Sequence, residues 1–574
     1  MITTQKVTEV GRGLMGICFC VSRSINGILA MDSFKRDFTT GYIDPIGNPN
    51  IYPSQVSLIV AMLSAGTAVG ALLSAPVGDR YGRRRSLIGS IGIFCIGAIF
   101  QVCATNVALL VVGRCVYSHV FVFSHLRICL LTWAPPRTVA GIGVGIISVL
   151  VPLYQSEMAP KWIRGTLVCA YQLSITMGLL AAALVNILTY KLSSSAAYRI
   201  PIGLQLTWSC VLALGLLILP ETPRYLIKRG HKEAAGLSLS RLRRLDITHP
   251  ALVEELAEIE ANHQYEMALG RDTYKDIIFG EPHLGRRTFT GCGLQMLQQL
   301  TGVNFIMYYG TTFFIGAGID DPYKITVIMQ IINVVSTLPG LFVVESWGRR
   351  KLLLIGAIGM AICQLLIASY ATATGDNNEL AQNKILIIFV AIYIFFFAAS
   401  WGPVVWVVTS EIYPLKVRAK SMSISTASNW ILNFGIAYGT PYMVGTHTAE
   451  GTADLGSRVF FVWGAFCILA TVFVWCMVYE TSKISLEQID EMYERVDHAW
   501  NSKNFEPSWS FQQMRDFGFS DSGIPPTEPQ LELQPSRSST ASTSQTDTGV
   551  SATTSSSSQD DKMISSLGHV DLSY

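Results

Sequence analysis

The chain has 574 residues, 50% of them hydrophobic and only 14% charged, with a mean hydropathy of +0.39 and a net charge of +2. A soluble protein carries about a quarter charged residues, so this much apolar surface needs lipid as its solvent and excludes a single large soluble core. The near-neutral charge offers a nucleic acid nothing to bind, and the 12 cysteines, with no CxxC pair or Cys/His metal spacing, read as small buried hydrophobes.

The first stretch of the chain is a poor span, because Cys18-Phe-Cys-Val-Ser-Arg-Ser24 places Arg23 inside it. Apolar spans then cover 57–77, 87–104, 168–188 and 202–219, each near the length of about 20 residues that crosses a bilayer as a helix. Residues 221–287 turn polar, with apolar positions at helical spacing around Leu239–Leu245 and Leu252–Ala261, which predicts a cytoplasmic helical linker. Six more spans follow at 289–314, 325–344, 352–370, 385–408, 421–444 and 459–478. A cytoplasmic helix is expected over 481–500, and a disordered Ser/Thr-rich tail over 501–574.

Positive charge recurs at every second loop: Arg80 to Arg85, Lys161 with Arg164, Arg224 with Lys228, Arg349 to Lys351, and Lys416 to Lys420. These loops are cytoplasmic by the positive-inside rule, so both termini lie inside and the number of spans is even. The same motifs show an internal repeat. Gly78-Asp-Arg-Tyr-Gly-Arg-Arg-Arg85 answers to Glu345-Ser-Trp-Gly-Arg-Arg-Lys351, and Glu157-Met-Ala-Pro-Lys-Trp-Ile-Arg164 to Glu411-Ile-Tyr-Pro-Leu-Lys-Val-Arg418. Pro220-Glu-Thr-Pro-Arg-Tyr225 answers more loosely to Tyr479-Glu-Thr-Ser482. A duplicated membrane chain points to alternating access around a midplane site. The motif charges Asp79, Arg83, Glu157, Arg164, Glu221, Arg349, Glu411, Arg418 and Glu480 are expected to latch the two halves together while the cytoplasmic side is closed. Exposed ion pairs are individually weak, so the latch needs a network. Topology-setting charge alone is the plainer reading.

These motifs, with Gln298-Gln-Leu-Thr-Gly-Val-Asn304 running on to Tyr308-Tyr309 and with Trp401-Gly-Pro-Val-Val-Trp406, resemble the sugar porter family of the major facilitator superfamily, fungal hexose transporters most of all. The resemblance implies an all-α membrane protein with a twelve-helix major facilitator fold, in two pseudo-symmetric six-helix halves (1–220 and 288–480) joined by cytoplasmic linker helices. It implies a monosaccharide as substrate, a proton as partner where the relay is intact, a plasma-membrane location, and a monomer as the working unit. Sugar chemistry asks for the same residues: amides that donate and accept, and an aromatic platform. Gln298, Gln299 and Asn304 lie in one span, where amides are costly unless they face a cavity, and Gln172, Asn333 and Asn429 add more. Trp406 and Trp430 supply aromatic faces. By resemblance these eight are sugar-contacting positions, and Tyr308 and Tyr309 form the outer gate. Interhelical bonding is the expectation for Asn186 and Asn433, and packing for Trp401.

Two stretches depart from the family pattern. Val21 stands where a proton-coupled porter carries an acidic residue in its first helix. In the fourth helix, Gly113-Arg114-Cys115 is separated from Val139-Ala-Gly-Ile-Gly-Val-Gly145 by an insert, 116–138, which as continuous helix would add about 35 Å. His119, His125, Arg127 and Pro135-Pro136 make it a poor span, and its crossing would invert every later loop. The insert reads as translated intron: Val116 requires GTN, Leu131-Thr132 can read CTNAC, and Thr138-Val139 can read ACAG before T. An outward-looping insertion is the alternative. By resemblance Arg114 partners the missing acid, so both ends of the proton relay are disturbed. No nucleophile–base pair, metal cluster or phosphate loop marks an enzyme, and no cofactor is expected. The rival functions are a membrane sugar sensor and a carrier of a pentose, disaccharide, polyol or quinate.

Overall fold

The computed structural model describes residues 25–39, 41–43, 49–104, 139–159, 164–268, 274–280, 283–316, 319, 321–374, 379–414, 417–444, 453, 455, 456–482, 484 and 486–505. Val21, Arg114, the 116–138 insert and the tail beyond 505 lie outside these residues. The described chain is helical apart from one isolated bridge between Ile43 and Pro49.

In the first half, α1 (Ile25–Leu29) and α2 (Asp32–Phe38) lead to α3 (Pro53–Tyr81), α4 (Arg83–Val102), α5 (Val139–Met158), α6 (Arg164–Thr189) and α7 (Ala196–Ile218). Three linker helices follow: α8 (Pro223–Lys228), α9 (Lys232–Arg243) and α10 (Pro250–Ala268). After the single turn α11 (Asp276–Phe279), the second half comprises α12 (Leu284–Leu300), α13 (Val303–Gly316), α14 (Pro322–Trp347), α15 (Arg349–Thr374), α16 (Glu379–Phe396), a π-helical turn (Phe397–Trp401), α17 (Gly402–Glu411), α18 (Arg418–Val444) and α19 (Val459–Met477). The closing helix α20 (Leu486–Arg495) folds back: Asp490 pairs with the buried Arg287, whose guanidinium stacks 4.2 Å from the Tyr493 ring.

Nine helical stretches among the described residues are long and apolar enough to cross a bilayer. Their outward faces carry exposed Leu214, Val335, Phe342, Ile431 and Val472, the surface of a protein solvated by lipid. The span expected at 289–314 is two helices. The chain breaks at Thr301-Gly302, where Gly302 has φ 86° and a Cβ would collide with the Trp463 ring. The span expected at 385–408 runs through the π-helical turn before Gly402-Pro403, since Pro403 has no N–H to continue the ladder.

The halves meet along the whole of the α3–α18 seam. Ser57 Oγ donates to the Tyr438 carbonyl (2.9 Å) at one end, Ser64 Oγ to Asn433 Oδ1 (2.7 Å) midway, and Ser423 Oγ to the Ala71 carbonyl (2.8 Å) near the other. A second seam joins α6 to α14. Beyond it, Tyr323 Oη donates to the Gly27 carbonyl (3.1 Å) and stacks 4.3 Å from Tyr190. Among the described residues the halves thus touch toward both ends.

Candidate functional site

The middle of α12 presents Gln295, Gln298 and Gln299 on one face, at the i, i+3, i+4 spacing that lines up side chains on a helix. Facing them, α18 presents Asn429 and Asn433 one turn apart. Asn429 Nδ2 donates to Gln295 Oε1 (2.7 Å) and Gln298 Oε1 (3.0 Å), and Gln299 Nε2 donates to Asn429 Oδ1 (2.8 Å). Asn304, in the first turn of α13, donates to Gln299 Oε1, which also accepts from Asn433 Nδ2 (3.0 Å). Every member is buried. Amides in such a place are held by one another.

The structure thus brings Gln298, Gln299, Asn304 and Asn429 into one network. Other predicted residues border it. The Gln172 amide lies against Gly402, and its neighbour Tyr171 meets Trp406 edge-on at 5.8 Å, so the first half contributes to the site. Asn333 is not bonded to it: its Nδ2 donates to Gln330 Oε1 (3.3 Å), and Gln330 Nε2 donates to Met307 Sδ (3.3 Å). Asn333 Oδ1 has no hydrogen-bond partner among the described residues, which leaves a buried acceptor open to a donor. Trp430 is buried beside Asn429 in the chain, and Trp401 packs with its Nε1 on the Leu353 carbonyl (2.9 Å). Tyr308 Oη donates to Asn433 Oδ1 (3.1 Å) and Tyr309 Oη to the Ala437 carbonyl (2.6 Å), pinning α13 against α18.

Sequence reasoning missed Gln295 as a member and took Asn433 as a plain interhelical bond. Asn433 is interhelical, but it joins α3, α12, α13 and α18 at the centre of the network. The spacing from Asn429 and from Gln299 was the available signal.

At the end of the bundle that carries the arginine motifs, the charges meet differently from the expected cross-half latch. Arg83 pairs with Asp79 (2.9 Å) and Glu157 (3.1 Å), all in the first half, and Arg349 with Glu345 (2.9 Å) and Glu411 (2.9 Å), all in the second. Glu221 and Glu480 take backbone amides instead of guanidiniums. Glu221 accepts from the N–H groups of Arg83 (3.0 Å) and Arg84 (3.1 Å) at the start of α4. Glu480 accepts from those of Arg349 (2.8 Å) and Arg350 (3.1 Å) at the start of α15. Each carboxylate so caps a helix N-terminus, where orphan N–H groups and the helix dipole favour negative charge. Gly82 and Gly348 precede these helices at φ 93° and 86°, and a Cβ on either would overlap the capping carboxylate. Burial pushes the Glu221 carboxyl above the usual range, and the amides of Arg84, Thr222 and Arg83 offset part of that. Arg418 donates to the Tyr413 carbonyl (3.1 Å). Arg164 opens α6, and its side chain lies outside the described residues. Among the described residues of the motifs, a contact that does cross between halves is Gly165, in the first turn of α6, seated against Glu345 and Arg349.

Two halves packed around a buried amide network, with breaks in the helices that flank it, define a transporter of the major facilitator fold. A solved structure of the Escherichia coli proton:xylose symporter XylE, bound to 6-bromo-6-deoxy-D-glucose, shares that fold with a TM-score of 0.69 at 24% identity, over 85% of this chain and 98% of that one. The sequence matches the family "Sugar (and other) transporter" over residues 22–493. It is 73% identical to the Neurospora crassa protein named "Probable glucose transporter rco-3", over 96% of this chain and 93% of that protein. It is 40% identical to the "High glucose sensor RGT2" of Saccharomyces cerevisiae, over 83% of this chain and 62% of that protein. The chain belongs to the sugar transporter family, a multi-pass membrane protein whose work is transport and not catalysis.

Proposed function

We propose that this chain carries glucose or a closely related hexose across the plasma membrane by alternating access, as a monomer. The observation that carries the reading is the network of Gln298, Gln299, Asn304 and Asn429, which offers donors and acceptors where the two halves meet. Glucose hydroxyls exchange with these amide–amide bonds one for one, so a sugar enters without leaving buried polar atoms unpaired. Trp406, Trp430 and Gln172 would line the sugar from the sides, Asn333 Oδ1 would accept a hydroxyl, and Tyr308 and Tyr309 would close the outer entrance through α13. The arginine-rich end is cytoplasmic, with both termini, because the arginine and lysine clusters of the repeated motifs fall there. The 73% identity to a protein named as a glucose transporter favours glucose as the first sugar to test.

The sensor reading has one observation in its favour, the 40% identity to a named glucose sensor. That match covers 83% of this chain and 62% of that protein. The deciding experiment uses yeast without its own hexose carriers, given the chain as written or the chain lacking 116–138. Labelled glucose uptake by either form establishes transport. Uptake by the shortened form alone makes the insert foreign to the working protein. Collapse of uptake with a protonophore marks symport, and indifference to it marks facilitated diffusion. Glucose binding without uptake by either form supports the sensor.

A further inference from the structure

The break between α12 and α13 frees a carbonyl. In an unbroken helix the N–H of Phe305 would serve Thr301, but it donates to the Gly302 carbonyl (3.1 Å) instead. The Thr301 oxygen lies among apolar helices without that donor. Two side chains supply the deficit from outside the helix: Gln364 Nε2 of α15 at 2.7 Å and Tyr393 Oη of α16 at 2.9 Å. Both residues are buried, and both bonds are neutral, one for each lone pair of the carbonyl. Gln364 is itself steadied by Cys467 Sγ of α19, which lies 3.6 Å from its Oε1.

The same two helical units are tied a second time, in the opposite sense. Gln298, one turn before the break, sends its Nε2 to the carbonyls of Trp401 (2.8 Å) and Gly402 (3.2 Å), where the π-helical turn passes into α17. Tyr393 lies on the α16 side of that turn. Each irregular helix therefore has a backbone carbonyl at its irregularity held by a side chain of the other. The two ties differ in one respect. Gln298 belongs to the amide network, whereas Gln364 and Tyr393 are outside it and reach only the break.

We propose that Tyr393 and Gln364 are positioning residues for α13: by holding the Thr301 carbonyl they fix the pivot about which this half-helix, with Tyr308 and Tyr309, opens and closes the entrance. A helix broken at a glycine could swing about either flanking peptide. Two donors on one carbonyl restrict the swing to the bonds beyond Thr301 and keep α12, with its glutamines, still while α13 moves. On the proposed reading of the site, a sugar that draws the Gln298 amide releases the Trp401 and Gly402 carbonyls and frees α17 to adjust. The Thr301 tie persists through that exchange, because neither of its donors touches the site. Loading and gating are then separable at the level of side chains.

The test compares the reconstituted full chain with Tyr393→Phe and Gln364→Met. Each variant removes one of the two donors and leaves the carbonyl one partner, so the fold survives. Amide hydrogen exchange across 303–316 should speed up about fivefold, the factor set by one lost hydrogen bond, while exchange in α6 and α14 stays unchanged. Glucose turnover should fall about threefold or more with KM within about twofold of the parent. Exchange unchanged in α13, or raised equally throughout the bundle, overturns the pivot. So does turnover that is unaffected or that falls only in step with KM. If the parent carries no glucose, the glucose reading fails by itself, and the exchange pattern alone then decides the pivot.

Discussion

In the second half, both oxygens of Glu411 are occupied. Oε1 accepts from Arg349 Nη2 (2.9 Å), and Oε2 from Arg349 Nε (3.2 Å) and from Thr481 Oγ1 (2.7 Å). In the first half, Glu157 gives Oε1 to Arg83 Nη2 (3.1 Å) and Nε (3.3 Å), and its Oε2 has no hydrogen-bond partner among the described residues. The threonine that aligns with Thr481 is Thr222, and it serves another purpose: its hydroxyl caps α8 by accepting from the Tyr225 N–H (3.4 Å). The duplication thus repeats the arginine and the helix-capping glutamate, but among the described residues only the second copy completes the carboxylate's shell. Buried charge is tolerated in proportion to how fully it is paired. On that ground the second half is expected to depend more on its buried acid at this end of the bundle than the first.

The largest test of this difference is to neutralise each acid. Glu411→Gln leaves Arg349 deeply buried with only the Glu345 carboxylate beside it and turns one of the two oxygens that accept from its guanidinium into an NH2, so it should cost about 3 kcal/mol or more. Glu157→Gln removes a carboxylate that used one oxygen, leaves Arg83 paired with Asp79, and should cost about 1–2 kcal/mol. Thermal unfolding of the purified chains in detergent reads both. Equal losses would erase the contrast between the halves.

A smaller and sharper contrast comes from the aligned threonines. Thr481→Val deletes a hydrogen bond to a buried carboxylate, a change that costs about 1.5–3 kcal/mol. Thr222→Val deletes only the cap of a six-residue helix, which costs about 1 kcal/mol. If the second substitution proves the more damaging in the same unfolding assay, the Thr481–Glu411 bond is not what distinguishes the halves.

How much of this could be read beforehand depends on whether the information is local. The spans were legible because hydrophobic length alone defines them, and the amide cluster because polar residues in lipid demand a reason. The duplication was legible from motif order. The pairing of the motif charges was not. Glu157 and Arg83 lie 74 positions apart, and a charge pattern gives the sign of a loop without saying whether its partner is in the same half or across the seam. The capping role of Glu221 and Glu480 was hidden for a related reason: their partners are backbone amides, which every sequence supplies everywhere. The break at Thr301-Gly302 was masked by an uninterrupted apolar run, and only the positive φ of Gly302 and the closeness of Trp463 mark it.

The smallest expected effect concerns a contact at the charged end that joins the halves, Gly165 against Glu345. Gly165 and Ala419 occupy equivalent places in the repeat, each just after the arginine that opens its helix, α6 or α18. Gly165→Ala therefore gives the first half the side chain the second already has. The added methyl would overlap Glu345 Oε1 and press on Arg349 Nη2; the Glu345 side chain is 33% exposed and can move aside, whereas Arg349 is held by Glu411. Moving Glu345 weakens its bond to Arg349, but only while the halves are together, since Gly165 and Glu345 lie on opposite sides of the seam. The closed form should lose about 1 kcal/mol relative to the form open at this end, a shift of about fivefold in their ratio. Energy transfer between probes at the charged ends of α6 and α14 measures that ratio directly. A lower unfolding temperature with the ratio unchanged would make Gly165 ordinary packing within the α6–α14 seam.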